Sequence, residues 1–207
     1  MTDIHNILYV HGLGGSKNST TCKNLREILT DCTIYAEDFD LYDVQGTQDK
    51  IEKIIQEKEI GTLIGSSFGA FYVLSRKATP FRIVINPCMS PSLEIPKLDK
   101  AIPENVVKDL FALEAKTYGL TIYNQGQRTP AMKNTTCGIF GTDDELFSYS
   151  TFFSQMYSDC SMYKDNIFFV DGGHHKLTKN QLEPAINEAF EFVKKRSGYY
   201  LNHDNSL

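Results

Sequence analysis

No two of the five cysteines stand in Cys-x-x-Cys spacing; Cys22, Cys32, Cys88, Cys137 and Cys160 are odd in number and widely scattered. That pattern supports neither a disulfide framework nor a structural zinc site, and it fits a reducing, cytoplasmic compartment. Long apolar runs are missing as well. The first residues, Met1 to Asn6, lack the basic region and apolar core of a signal peptide, so no membrane association is expected. Positive charge is also scarce. Lys and Arg number 21 against 26 Asp and Glu, a formal charge of −5, which leaves no electrostatic footprint for nucleic acid or an anionic membrane. Internal repeats and low-complexity segments are lacking too. What remains is a 207-residue chain, the size of one domain that buries about 70% of its unfolded surface without staples. Small-molecule partners are expected.

Short β-branched or aromatic runs alternate with longer segments of helical periodicity, the signature of strand-helix units wound into a parallel sheet. Strands are expected at Ile7 to Val10, Thr33 to Ala36, Thr62 to Gly65, Arg82 to Asn86, Thr136 to Phe140 and Ile167 to Val170. Helices are expected at Ser19 to Leu29, Gln48 to Glu57, Phe68 to Lys77, Leu146 to Ser158 and Lys179 to Lys195. The implied fold is α/β, a doubly wound and mainly parallel six-stranded sheet. The interval from Pro87 to Asn134 breaks the alternation and carries Pro91, Pro96, Pro103 and Pro130. Connections this long are usually functional. It reads as a small cap insertion at about 88–134, with a helix over Glu104 to Lys116; the plainer alternative is an extra helix packed on the sheet. The tail from Tyr199 is expected to fray.

Gly65-Ser66-Ser67-Phe68-Gly69 follows an apolar run and leads into Ala70-Phe71-Tyr72-Val73-Leu74. This places Ser67 on a strand-to-helix turn, where the residues two before and two after must be small for strand and helix to approach. A plain glycine-rich turn would have the same pattern, so context must decide. Serine needs a histidine base, and the base needs a carboxylate. After the fifth strand comes Gly141-Thr142-Asp143-Asp144-Glu145-Leu146, and after the sixth comes Asp171-Gly172-Gly173-His174-His175-Lys176. Both loops lie at the carboxyl edge of the sheet with Ser67, where open parallel sheets bind ligands.

These three segments, with His11-Gly12 after the first strand, resemble the α/β-hydrolase superfamily over nearly the whole chain, in its chain order Ser, Asp, His. Tyr9-Val10-His11-Gly12-Leu13, Asn86-Pro87 and the small size are similar to the short single-domain bacterial esterases of the YqiA type, which lack the leading antiparallel strands of larger hydrolases. The resemblance implies Ser67 as nucleophile, His175 as general base with His174 as runner-up, and Asp144 as the acid ahead of Asp143 and then Glu145. Asp143 or Asp144 could instead cap a helix beginning near Leu146. The Phe68 N–H is the first oxyanion donor, and the resemblance to the His-Gly motif points to the Leu13 N–H as the second. His11 reads as a brace of that loop. Phe71, Tyr118 and Phe147 are candidate substrate-binding residues, with Phe68 and Tyr123 also considered.

Gly12-Leu13-Gly14-Gly15-Ser16-Lys17 invites a phosphate-binding reading, but its spacing fits neither a P-loop nor a dinucleotide fingerprint. Cys88 lies at the correct edge without an elbow around it, and a buried cysteine is usually a small hydrophobe. The expected function is hydrolysis of a carboxylic ester or thioester through an acyl-enzyme, with no metal or organic cofactor. The alternative is a hydrolase-like ligand-binding protein with little turnover.

Overall fold

The structure is a computed structural model that describes residues 3–76, 81–123, 135–158 and 165–203, with side chains to 119 and to 198 in the second and last stretches. Six strands are β1 (Asp3–Val10), β2 (Thr33–Ala36), β3 (Ile60–Ser66), β4 (Phe81–Ile85), β5 (Thr136–Gly141) and β6 (Ile167–Val170). They form one sheet in the order β2-β1-β3-β4-β5-β6, and every pairing is parallel. Seven helices among the described residues are α1 (Thr20–Ile28), α2 (Val44–Glu57), α3 (Phe68–Leu74), α4 (Pro91–Leu98), α5 (Glu104–Tyr123), α6 (Ser150–Tyr157) and α7 (Lys179–His203).

Successive strand residues face opposite sides, so one run of apolar residues serves two cores. Leu8, Val10, Leu63, Val84 and Phe140 join the apolar cluster filled by α2 to α6. Ile7, Tyr9, Ile64, Ile83 and Ile139 join the second cluster, against Leu25 of α1 and Leu182, Ile186 and Phe190 of α7. The sheet is therefore wrapped on both faces, as the alternating pattern requires.

The differences from the expected boundaries have local causes. Helix α2 starts four residues before Gln48 because the Asp43 carboxylate accepts the Gly46 N–H and caps it there. Helix α6 starts at Ser150 rather than Leu146 because the Asp144 carboxylate already holds the Leu146 and Phe147 N–H groups in a tight turn. Helix α4 was not expected at all. Its first residue is Pro91, whose missing N–H costs nothing at that position. The tail expected to fray from Tyr199 is helical as far as His203.

The described part of the interval read as a cap is built into the helical layer. Ile95 of α4 and Val106, Leu110, Leu113 and Tyr118 of α5 lie in one cluster with Phe71 and Phe153. Residues 124–134 lie outside the described residues. Helices α4 and α5 are also joined by a buried carboxylate: Glu114 accepts the Ser92 N–H at 2.6 Å, the Ser92 Oγ–H at 2.9 Å and the Ser90 Oγ–H at 3.3 Å. Burial pushes its pKa up, and these donors offset only part of that shift. Among the described residues, no helix is long and apolar enough to cross a membrane.

Gly65 and Gly69 allow α3 to pack against the sheet without a gap. A Cβ on Gly69 would stand 2.2 Å from the His11 carbonyl oxygen, and one on Gly65 would stand 2.6 Å from the Ala70 Cα. Both neighbours are backbone and cannot swing away. Gly69→Ala is therefore expected to lower stability by at least about 2 kcal/mol in denaturant titration. Because the folded state favours the protonated form of Glu114, its stabilisation is complete below the unfolded pKa and declines as pH rises through the folded one. Glu114→Gln should thus gain stability relative to wild type as pH rises above the ordinary glutamate range of about pH 4, measured by thermal melts of both proteins over a pH series.

Candidate active site

Ser67 sits between the last residue of β3 and the first of α3 with φ 53° and ψ −125°. A residue with a Cβ pays about 1 to 3 kcal/mol to stand in such a region and stays there only if its surroundings over-determine it. They do. Its N–H donates to the Ile85 carbonyl at 3.0 Å, and its carbonyl accepts the N–H groups of Cys88 at 3.0 Å and Ala70 at 3.1 Å. The end of β4 thus grips the turn from both sides.

The Oγ of Ser67 lies 3.0 Å from His175 Nε2. On the far side of the ring, His175 Nδ1 lies 3.1 Å from each carboxylate oxygen of Asp144. A carboxylate facing Nδ1 fixes the proton there and leaves the Nε2 lone pair for the serine hydroxyl. Both side chains are almost fully buried, at 8% and 4% exposure. The Phe147 ring stands edge-on to the imidazole at 5.0 Å. Asp144 also accepts the backbone N–H groups of Leu146 at 2.9 Å and Phe147 at 3.1 Å, so the carboxylate that orients the ring is itself held in its turn.

Of the adjacent alternatives, the structure brings Asp144 and His175 to the serine and turns Asp143 and His174 elsewhere. The Asp143 N–H donates to the Gly173 carbonyl, and its carboxylate has the Thr142 hydroxyl at 3.5 Å. His174 is exposed and pairs through Nδ1 with Glu145 at 3.3 Å. Glu145 also accepts the His175 N–H at 3.1 Å. Its own N–H and that of His175 hold its carboxyl below the usual range, with a smaller contribution from His174.

The Phe68 N–H lies in the first turn of α3, where amides have no intrahelical partner. The loop after β1 is braced by His11, whose Nδ1 donates to the Gly12 carbonyl at 2.9 Å while Nε2 accepts the Phe39 N–H at 3.0 Å. A Cβ on Gly12 would come within 2.8 Å of the Ser67 Cβ, so the backbone leading into Leu13 runs directly against the serine. Phe147 borders the imidazole. Phe71 and Tyr118 lie deeper, fully or nearly buried, with ring centroids 6.4 Å apart, and Tyr118 continues to Phe152 at 5.4 Å. The side chain of Tyr123 lies outside the described residues.

The other candidates have different surroundings. Cys88 is fully buried, and burial pushes its thiol well above the ordinary range. In the glycine-rich loop, the Lys17 N–H already donates to the Asp38 carboxylate at 2.9 Å, with the ammonium 3.6 Å from the same group, so an acid occupies the place a phosphate would take. No cluster of three or more His, Cys, Asp or Glu suited to a metal occurs among the described residues.

One residue had no role assigned from sequence. Asn86, the first after β4, is buried and in left-handed backbone, with φ 43°. Its Oδ1 accepts the Gly141 N–H at 2.7 Å, and its Nδ2 donates to the carbonyls of His174 and His175, each at 3.0 Å. Its signals in the sequence were the Asn86-Pro87 pair that contributes to the resemblance and its position at the same sheet edge as the serine, neither of which gives its side chain a task.

Residues 6–194 match the model of a family described as an uncharacterised protein family, UPF0227. No curated protein matches the chain. Among solved structures, the mouse alpha/beta hydrolase domain-containing protein 10 is similar with a TM-score of 0.65 and 14% identity, over 94% of this chain and 92% of that one. Est1E from Butyrivibrio proteoclasticus, with ferulic acid bound, has a TM-score of 0.62 and 14% identity over 92% of this chain and 89% of its own. FphF, a fluorophosphonate-binding serine hydrolase of Staphylococcus aureus, has a TM-score of 0.61 and 11% identity over 93% of this chain and 84% of its own. At these identities the likeness carries the fold, a reduced α/β-hydrolase architecture.

The backbone strain at Ser67 has a measurable consequence. Ser67→Gly should be more stable than Ser67→Ala by about 1 kcal/mol, because both lose the hydroxyl while only glycine accepts the positive φ. Paired denaturant titrations of the two variants give the difference directly.

Proposed function

The chain belongs to the uncharacterised protein family UPF0227, and from that premise we propose that it is a serine hydrolase cleaving a small carboxylic ester or thioester through an acyl-enzyme. The observation that carries the reading is the continuous path from Ser67 Oγ through the two nitrogens of His175 to the Asp144 carboxylate. A buried imidazole locked in one tautomer against a serine at a strained elbow has no evident packing purpose. It is the arrangement that activates a hydroxyl.

In the proposed reaction, Ser67 Oγ attacks the substrate carbonyl carbon as its proton passes to His175 Nε2. The carbonyl oxygen becomes an oxyanion between the N–H groups of Phe68 and Leu13, donors whose individual removal from such a site costs about 3 to 4 kcal/mol of barrier. Asp144 stabilises the imidazolium and holds its orientation. His175 then returns the proton to the departing alcohol or thiol, and the carbon–oxygen or carbon–sulfur bond breaks. Water attacks acyl-Ser67 with His175 again as base, releasing the acid and free enzyme. Phe147, packed on the imidazole, borders the acyl side of the site in this reading, and Phe71 and Tyr118 form its floor. In the same reading α4 and α5, the described helices of the insertion, lie on the side of Phe71 and form the cover.

Intact-protein mass spectrometry after exposure to a fluorophosphonate tests the proposal. Wild type should gain one adduct, mapped to Ser67, and Ser67→Ala should gain none; an unlabelled, well-folded wild type would remove the basis for an activated serine. Against 4-nitrophenyl acetate, His175→Ala should lose activity by more than about 10³-fold. His174→Ala, which alters only the exposed pair with Glu145, should stay within about threefold of wild type.

A further inference from the structure

We propose that Asn86 is the positioning residue that registers the acid and base loops against the nucleophile. The inference rests on the hydrolase reading above for its kinetic consequences, and on geometry alone for its structural ones. Ser67, Asp144 and His175 leave the sheet on three separate loops, the serine and the histidine 108 positions apart in the chain and the histidine and the aspartate 31. Something must convert three strand ends into one set of distances.

Asn86 follows β4, the strand between the one that delivers Ser67 and the one that leads to Asp144. The oxygen and both N–H groups of its amide bond to the two loops. The acceptor oxygen takes the N–H of Gly141, the last residue of β5 and the start of the acid loop; the two donor hydrogens go to consecutive carbonyls of the base loop. Holding the carbonyls of His174 and His175 fixes the backbone that aims the His175 side chain. The same turn carries the Ile85 carbonyl and the Cys88 N–H that grip the Ser67 backbone, so one short stretch after β4 sets all three loops in a common frame.

The chemistry of the residue matches the task. Only a primary amide of this length offers one acceptor and two donors in a plane at this short reach. Asparagine also tolerates the left-handed φ that turns the side chain back across the sheet edge. Being buried, the amide cannot exchange these partners for water without cost. Displacements near 1 Å in a reacting pair reduce rates by about 100-fold, so a loose base loop is read as lost turnover rather than lost binding.

Two variants separate the parts of this role. Asn86→Gly keeps the backbone conformation and deletes all three bonds, whereas Asn86→Asp keeps the acceptor for the Gly141 N–H and deletes both donors. Each should retain the wild-type far-UV circular dichroism. With 4-nitrophenyl acetate, kcat should fall about 10- to 100-fold while KM stays within about threefold, the pattern of a lost transition-state arrangement. The loss should be larger with ethyl acetate, whose leaving group needs the proton from His175. A second readout does not depend on turnover: long-range proton–nitrogen spectra of ¹⁵N-histidine protein, with His175 assigned by its absence in His175→Gln. Wild type should show His175 protonated at Nδ1, and both variants a mixture with the Nε2 form.

Folded variants that keep the single tautomer and the wild-type kcat would overturn the proposal. So would failure of both to fold, which would make Asn86 a folding residue. A wild type that neither labels with fluorophosphonate nor cleaves either ester would sink the hydrolase reading, while the tautomer spectra would still decide whether Asn86 positions His175.

Discussion

The turn between β3 and α3 is the constraint on which the rest depends. A helix must start within one residue of a buried parallel strand, close enough for backbone to meet backbone, and the residue at the turn must take a positive φ. Glycines on either side of Ser67 satisfy the first condition. The second is met by force, with the ends of β4 and α3 holding the Ser67 backbone at both its N–H and its carbonyl. In that conformation the hydroxyl stands 3.0 Å from His175 Nε2, and Asp144 lies on the far side of the same ring.

Around it, the parallel sheet does the positioning. All six strands run the same way, so their carboxyl ends line one edge, and the loops that follow β1, β3, β4, β5 and β6 meet there. Each loop is braced by a different device. His11 bridges Gly12 to Phe39, Asp144 holds the amides of Leu146 and Phe147, Glu145 receives the amide of His175, and Asn86 spans the loops that follow β5 and β6. Polar side chains fastening backbone groups suit this edge, because loop amides removed from water must find partners within the protein.

The helical layer above α3 follows a different logic. Helices α4 and α5 complete the apolar cluster begun by α2 and α3, yet they meet each other through Glu114, a carboxylate with three donors and a pKa raised by burial. Apolar contact fixes that they pack, and the carboxylate fixes how. Tyr118 stands at the same junction with its hydroxyl buried and without a hydrogen-bond partner among the described residues, against Phe71 on one side and Phe152 on the other. Helix α3, which starts at the Ser67 turn, and helix α6 thus both meet one aromatic ring.

The sequence by itself determined the alternation of strands and helices, the two-faced apolar strands and the turn at Ser67. Each of these is written in spacing: period two, period 3.6 and glycines two residues to either side. It also narrowed the acid and the base to adjacent pairs. It did not determine which of Asp143 and Asp144, or of His174 and His175, faces the serine, since neighbours differ only in the direction a loop turns. Nor did it reveal α4, a helix that Pro91 opens and that carries Pro96 within it. The role of Asn86 was hidden for the same reason. Its partners lie 55, 88 and 89 residues away and are backbone atoms, which carry no residue identity and so leave no local pattern. Only the tertiary structure, by bringing the ends of β4, β5 and β6 side by side, decided where that amide's three hydrogen bonds would go.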